Sequence, residues 1–229
     1  MVVKKVQTSA TKIADNIYRL SVAPSQHLEF SSFLILDDSP CLVHAGKLSL
    51  YEPLKEMVLS CLNGKELKYV VFSHVESDES GAVNNWLEDF ATAELVCNKL
   101  SNMSLGDSLL RPAQILKNNE ILDLGVKKLK IIETPHFPHN WDAHMWIETE
   151  SKVLFSSDFC CQGGIAKPIT EDDISNSIIS FYDKGGFIPY EKSTNEALEK
   201  INEYDFEMIA PMHGSVISSK NAQSVFTKV

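Results

Sequence analysis

Apolar and polar positions alternate along the chain in short pieces, and the period of each piece predicts its element. Residues 17–22, 33–36 and 41–45 are apolar runs of strand length, and Asp37-Asp38-Ser39-Pro40 places a turn between the last two, which predicts a hairpin. Residues 50–62 set Leu50, Leu54, Met57, Val58, Cys61 and Leu62 at helical spacing until Asn63-Gly64 ends the run. The β-branched and aromatic run at 69–72 follows as a buried strand, then a helix over 81–90 and a strand over 93–97. Two further hairpins are predicted, 121–124 with 127–132 and 143–148 with 152–156. Helices over 174–184 and 195–203 precede a short strand at 208–210. Strands followed by helices, twice over, predict two sheets packed face to face with helices outside. The expected fold class is α/β, an αββα sandwich, as a single domain over 1–229.

Composition narrows the function. The 229 residues are 44% apolar and 23% charged, with 31 acidic against 21 basic side chains and a net charge of −10. That balance is ordinary for a globular domain and repels phosphate backbones and anionic lipid, so neither a nucleic-acid partner nor membrane insertion is expected. No window approaches the roughly 20 apolar residues of a spanning helix, and the first ten residues lack a signal core. Five cysteines with no Cys-x-x-Cys pair argue against a disulfide framework or thiolate zinc site, and a reducing cytoplasm is the expected compartment.

The candidate chemistry lies at predicted strand ends. Directly after the 69–72 strand comes Ser73-His74-Val75-Glu76-Ser77-Asp78-Glu79, one imidazole and three carboxylates within six residues, a pattern suited to a hard metal site. Thr134-Pro135-His136-Phe137-Pro138-His139-Asn140-Trp141-Asp142 offers two histidines in a Pro-bounded loop. Ser156-Ser157-Asp158 ends one strand in an aspartate, and Pro211-Met212-His213-Gly214 ends another in His-Gly. Each of these has an ordinary structural reading when taken singly, an acidic solvated loop for the first. As an ordered series they point to one site.

That series resembles the metallo-β-lactamase superfold and, within it, the diiron domain of flavodiiron proteins. The resemblance spans almost the whole chain and implies the metallo-β-lactamase-like αββα sandwich. It also implies two iron ions, one on His74, Glu76 and His139, the other on Asp78, Glu79 and His213, with Asp158 bridging. His136 remains the alternative to His139. Glu79 stands where typical flavodiiron proteins have histidine, and His44 stands where hydrolases of the superfold have aspartate. The variant is most similar to stand-alone oxygen-binding diiron proteins of bacterial chemotaxis, which implies dioxygen as ligand and a signalling partner protein. The resemblance further implies no flavodoxin domain and no FMN in this chain, and leaves a homodimer open.

Charge gives that expectation a physical form. The carboxylates Glu76, Asp78, Glu79 and Asp158 balance two ferrous ions, so an extra anionic donor at Glu79 favours the oxidised metals. O2 or peroxide as a bridging ligand would restore near-neutrality, which favours an oxygen and iron sensor over rapid turnover. Two other classes are carried forward: an O2 or NO reductase using an external electron donor, and a zinc hydrolase of the same superfold. Phe137, Trp141 and Phe159 are expected to wall an apolar oxygen pocket or to be core. Asp142 is expected to orient a ligand histidine or form a turn, and His44 to be structural or to support the site from behind. His27 and His144 are expected to be structural, and the Cys160-Cys161 pair to be small buried hydrophobes or a redox-active pair.

Overall fold

The computed structural model describes residues 6–185, 191–218 and 221–228. Of the N-terminal stretch read for a leader, residues 1–5 lie outside them.

Two seven-stranded sheets form the centre of the molecule. The first begins as an antiparallel meander of β1 (Gln7–Ala14), β2 (Ile17–Ala23), β3 (Phe30–Ile35) and β4 (Cys41–Val43). It continues in parallel through β5 (Tyr69–Val71), β6 (Glu94–Cys97) and β7 (Gln114–Ile115). The crossovers carry α1 (Tyr51–Leu62), α2 (Val83–Asp89) and α3 (Lys99–Leu105). The second sheet is built from β8 (Ile121–Asp123), β9 (Lys128–Glu133), β10 (His144–Glu148), β11 (Val153–Ser157), β12 (Ile169–Thr170), β13 (Met208–Pro211) and β14 (Val216–Ile217). Its outer layer is α4 (Ser175–Gly185), α5 (Glu191–Ile201) and α6 (Ala222–Phe226).

Period-2 alternation explains why there are four layers. In β4 and β5, Cys41, Val43 and Val71 point inward, and Leu42 and Val70 point outward onto α1 and α2. In β9 to β11, Leu129, Ile131, Trp146, Val153 and Phe155 meet them between the sheets. Their neighbours Ile132, Met145, Ile147 and Leu154 pack beneath Ile178, Ala197 and Ile201 of α4 and α5. Strands apolar on both faces have no solvent face, so each sheet must be covered on both sides. Each such side chain, fully buried, contributes about 1.5–3 kcal/mol.

The predicted elements all form, with ends within a few residues of expectation. Beyond them, β1, β7, β12, β14, α3 and α6 were not legible. β1 reads Gln-Thr-Ser-Ala-Thr-Lys-Ile-Ala and is largely exposed, so no apolar alternation announces it. The other five are two to seven residues long, below the length at which a period can be read.

Two hydrogen bonds place the ends of the sheets against each other. His144 N–H donates to Ser73 O (2.8 Å), and Ser31 N–H donates to Met212 O (2.8 Å). The C-terminal ends of β5, β11 and β13 therefore open into one cleft, which is where the polar motifs sit.

Candidate metal centre

His74, Glu76, His139 and Asp158 each offer a ligand atom within 4.8 Å of the others. His74 Nε2 lies 2.9 Å from Glu76 Oε2 and 3.6 Å from Asp158 Oδ2, and His139 Nε2 lies 2.7 Å from Asp158 Oδ2 and 3.5 Å from Glu76 Oε2. These separations approximate the roughly 3 Å between adjacent ligands of an ion with bonds of about 2.1 Å. The other oxygen of Asp158, Oδ1, is 3.5 Å from His213 Nε2, which is itself 3.6 Å from Asp78 Oδ2. Asp158 thus presents one oxygen to each of two imidazole–carboxylate groups.

The ring orientations follow from what lies behind them. His213 Nδ1 is 2.7 Å from the Glu29 carbonyl, which can only accept, so the proton sits on Nδ1 and Nε2 is left with its lone pair toward Asp78 and Asp158. Glu29 is fixed in turn: its carboxylate takes Arg19 Nη2 at 2.7 Å and Ser21 Oγ at 2.6 Å, and Arg19 also donates to Gly214 O. Both members of this ion pair are buried. Tyr182 of α4 donates from its hydroxyl to Asp158 O (2.6 Å) and accepts from Cys160 N–H (3.1 Å).

Electrostatics in the metal-free protein show how much negative charge converges. Burial works to lower the His74 pKa, yet the Glu76 hydrogen bond and the charges of Glu79 and Asp158 outweigh it and hold the imidazole at about 9. The His74 hydrogen bond depresses Glu76, while burial raises Asp78. Burial also works to raise Asp158, but the His139 hydrogen bond and the His213 and His74 charges hold it below the usual carboxylate range. Cys161 Sγ is 3.7 Å from Asp158 Oδ1, but burial pushes its thiol well up, so it does not enter the donor set as thiolate. What remains is imidazole and carboxylate, a set suited to iron or manganese and free of soft donors.

A cavity of about 130 Å³ opens over these groups, lined by Leu28, Glu76, Asp78, Pro138, His139, Asp158, Phe181, Tyr182 and His213. Of the two readings for the flanking aromatics, pocket wall or core, Phe137 and Phe159 take the second. Phe137 and Phe159 pack on each other in the core at 5.1 Å, and Trp141 is exposed. Phe181 and Tyr182 form the wall, carried by a helix whose Ile174 and Ile178 mark the apolar side from which they follow.

The other candidates are located as follows. His136 is exposed and lines a separate cleft with Glu133, Ser193 and Glu196, so of the two loop histidines it is His139 that reaches the cluster. Asp142 touches no ligand histidine through its carboxylate. Oδ2 instead accepts from Val75 N–H (2.9 Å) and Ser101 Oγ (2.7 Å), pinning the loop between His74 and Glu76. His144 is buried, held well down at about 4 by burial, and bonded through Nδ1 to Asp142 O. His27 sits exposed in a loop, and burial keeps the Cys160 thiol protonated.

Glu79, expected among the second-iron ligands, has its carboxylate hydrogen-bonded to Ser73 and Ser157 in this structure. Its buried carboxylate accepts from Ser73 N–H (Oε2, 3.0 Å) and Ser157 Oγ (Oε1, 2.7 Å), on the Nδ1 side of His74. His44, itself buried, stands next to it, with Nε2 3.5 Å from Glu79 Oε2 and Nδ1 on Ser31 O. Arg19 and Ser157, inside strands, and Glu29, just before β3, gave no signal of their own in the sequence.

Fold and site together define a metallo-β-lactamase-like diiron domain of the flavodiiron type. Residues 28–214 match the family described as ODP family beta lactamase, and the chain belongs to that family. It is 25% identical over 240 residues to a coenzyme F420H(2) oxidase of Methanothermobacter marburgensis, covering 92% of this chain and 58% of that protein. With a nitric oxide reductase of Moorella thermoacetica it shares 26% identity over 202 residues, covering 82% of this chain and 49% of that one. The crystal structure of the flavodiiron protein from Giardia intestinalis superimposes with a TM-score of 0.84 at 20% identity, covering 98% of this chain and 59% of that chain. The chain therefore spans about half the length of the curated relatives it matches. Among the described residues, no helix is long and apolar enough to cross a membrane.

Proposed function

We propose that this protein is a non-haem diiron protein that binds and reduces dioxygen or nitric oxide with electrons from a donor outside these 229 residues. The observation that carries it is the two-sided Asp158 carboxylate, with His74, Glu76 and His139 about one oxygen and Asp78 and His213 about the other. Bound there, two irons would supply paired one-electron chemistry to a diatomic substrate. The cavity of about 130 Å³ suits so small a substrate. Leu28, Pro138 and Phe181 give it an apolar wall, and Tyr182, whose hydroxyl bonds to the backbone of Asp158 and Cys160, holds the Asp158 segment in place. The five cysteines include no Cys-x-x-Cys, so they offer no rubredoxin-like thiolate centre, which fits a separate electron donor. The related oxidase and reductase support this reading.

A second reading, an oxygen and iron sensor acting on a partner of the chemotaxis machinery, is favoured by one observation. Glu79 adds a buried negative charge beside His74 without occupying a place among the clustered donors. That charge stabilises oxidised metal and slows its re-reduction, the property a sensor needs. Anaerobic loading with ferrous iron followed by measured additions of oxygen separates the two. Repeated oxygen uptake on supplying a reduced rubredoxin or flavodoxin supports the reductase. A single stoichiometric uptake with a slowly decaying absorption band and no turnover supports the sensor. No uptake at all, with zinc retained and an ester or lactam hydrolysed, overturns both.

A further inference from the structure

Glu79 is completely buried, and burying a carboxylate is costly unless something opposite in charge or rich in N–H and O–H groups receives it. Its two oxygens are received by Ser73 N–H and the Ser157 hydroxyl. The Ser157 hydroxyl also lies 3.2 Å from His74 Nδ1. The direction of these bonds is forced. A carboxylate can only accept, so the single Ser157 hydrogen goes to Glu79, and the serine lone pairs are left to accept the hydrogen of His74 Nδ1. The result is a chain from His74 Nδ1–H to Ser157 Oγ–H to Glu79 Oε1, with His74 Nε2 directed at Glu76 and Asp158.

Ser157 occupies an unusual backbone position to do this. Its φ is 56°, the left-handed region that non-glycine residues seldom adopt, at the last residue of β11 and directly before Asp158. The same strained residue thus aims its hydroxyl between His74 and Glu79 and turns the chain so that Asp158 faces the cavity.

We infer that Glu79 is a positioning residue that fixes the ring and tautomer of His74 through Ser157, in place of coordinating a metal itself. This rests on the two-metal reading above. Carboxylates behind a ligand histidine set its tautomer and raise its basicity, and their loss costs about 10–100-fold in metal affinity. Here the serine is inserted between the two, and Ser73 N–H holds the far oxygen.

The test uses the full chain and zinc as the probe, which keeps the protein diamagnetic. Glu79→Gln, Ser157→Ala and the double variant are titrated with zinc beside the parent, and the His74 ring nitrogens are followed by 15N NMR. All four proteins are expected to take up two zinc ions per chain. In each variant the affinity for one ion falls about tenfold or more, the other is unchanged, and the His74 Nδ1 resonance moves. The double variant behaves like the single ones because both lie on one chain of bonds. Loss of one zinc equivalent in Glu79→Gln shows Glu79 to be a ligand and overturns the inference. Parental affinities with an unmoved His74 resonance overturn it too, and leave the two-metal reading intact. A parent that fails to bind two zinc ions removes that reading and the inference with it. Should Glu79→Gln fail to fold, Ser157→Ala, which leaves the Glu79 bond to Ser73 in place, carries the same outcomes.

Discussion

Around Oδ2 of Asp158 the chain gathers His74, Glu76 and His139, all within 4.8 Å of one another, while beside Oδ1 it brings His213 and, through it, Asp78. The first group is also the better supported. Val75 N–H is tied to Asp142, and His74 is backed by Ser157 and Glu79. The second depends on the His213–Glu29 bond and on the buried Arg19–Glu29 pair behind it. On the proposed two-metal reading, more donors and firmer backing would make the first group the tighter site. Fewer donors would leave the second with positions open to a small ligand.

Removing the shared residue breaks the comparison altogether. Asp158→Ala is expected to lose both metals at micromolar concentrations, a fall of at least 100-fold for each, read by metal analysis after desalting. Removing a ligand from one side sharpens it. His213→Ala should hold one metal per chain with the affinity of the first group unchanged, and two retained metals would show that the halves are not divided as described.

Acidity tests the first group next. In the metal-free protein His74 is raised from its ordinary 6.5 to about 9. A raised histidine adds stability that is fully present below the unfolded value and is lost as pH climbs through the folded one. The chelated protein should therefore lose on the order of 3 kcal/mol between pH 6.5 and pH 9, seen as a falling thermal midpoint. The metal-loaded protein, in which His74 carries no ring proton on Nε2, should show no such fall. The smallest effect is local. Asp142→Ala leaves Val75 N–H and Ser101 Oγ without their acceptor and should cost about 1–3 kcal/mol in denaturant unfolding, with the first metal weakened more than the second.

The same contrast shows what the sequence could reveal. The fold was legible because most strands are apolar on both faces and long enough to show a period, as in Val153 to Phe155 with Leu154. The positions of His74, Asp158 and His213 were legible because each follows an apolar strand directly. The supports were not. Arg19, in β2, and Glu29, just before β3, are 10 residues apart in a stretch that gives no hint of facing His213, nearly two hundred positions away. Phe181 and Tyr182 look like any helix residues until the helix is seen lying over the cleft. The direction of Glu79 was not legible for a related reason: spacing tells which side chains share a loop, and not which way the loop turns them. Its direction is set by Ser73 N–H and by Ser157, 78 residues further on.

The central claim is tested most directly by titrating the metal-free chain with ferrous iron under argon and counting iron per polypeptide. The account predicts two steps, a tighter ion followed by a weaker one, ending at two irons per chain. Saturation at a single iron, or no saturable uptake, would contradict it.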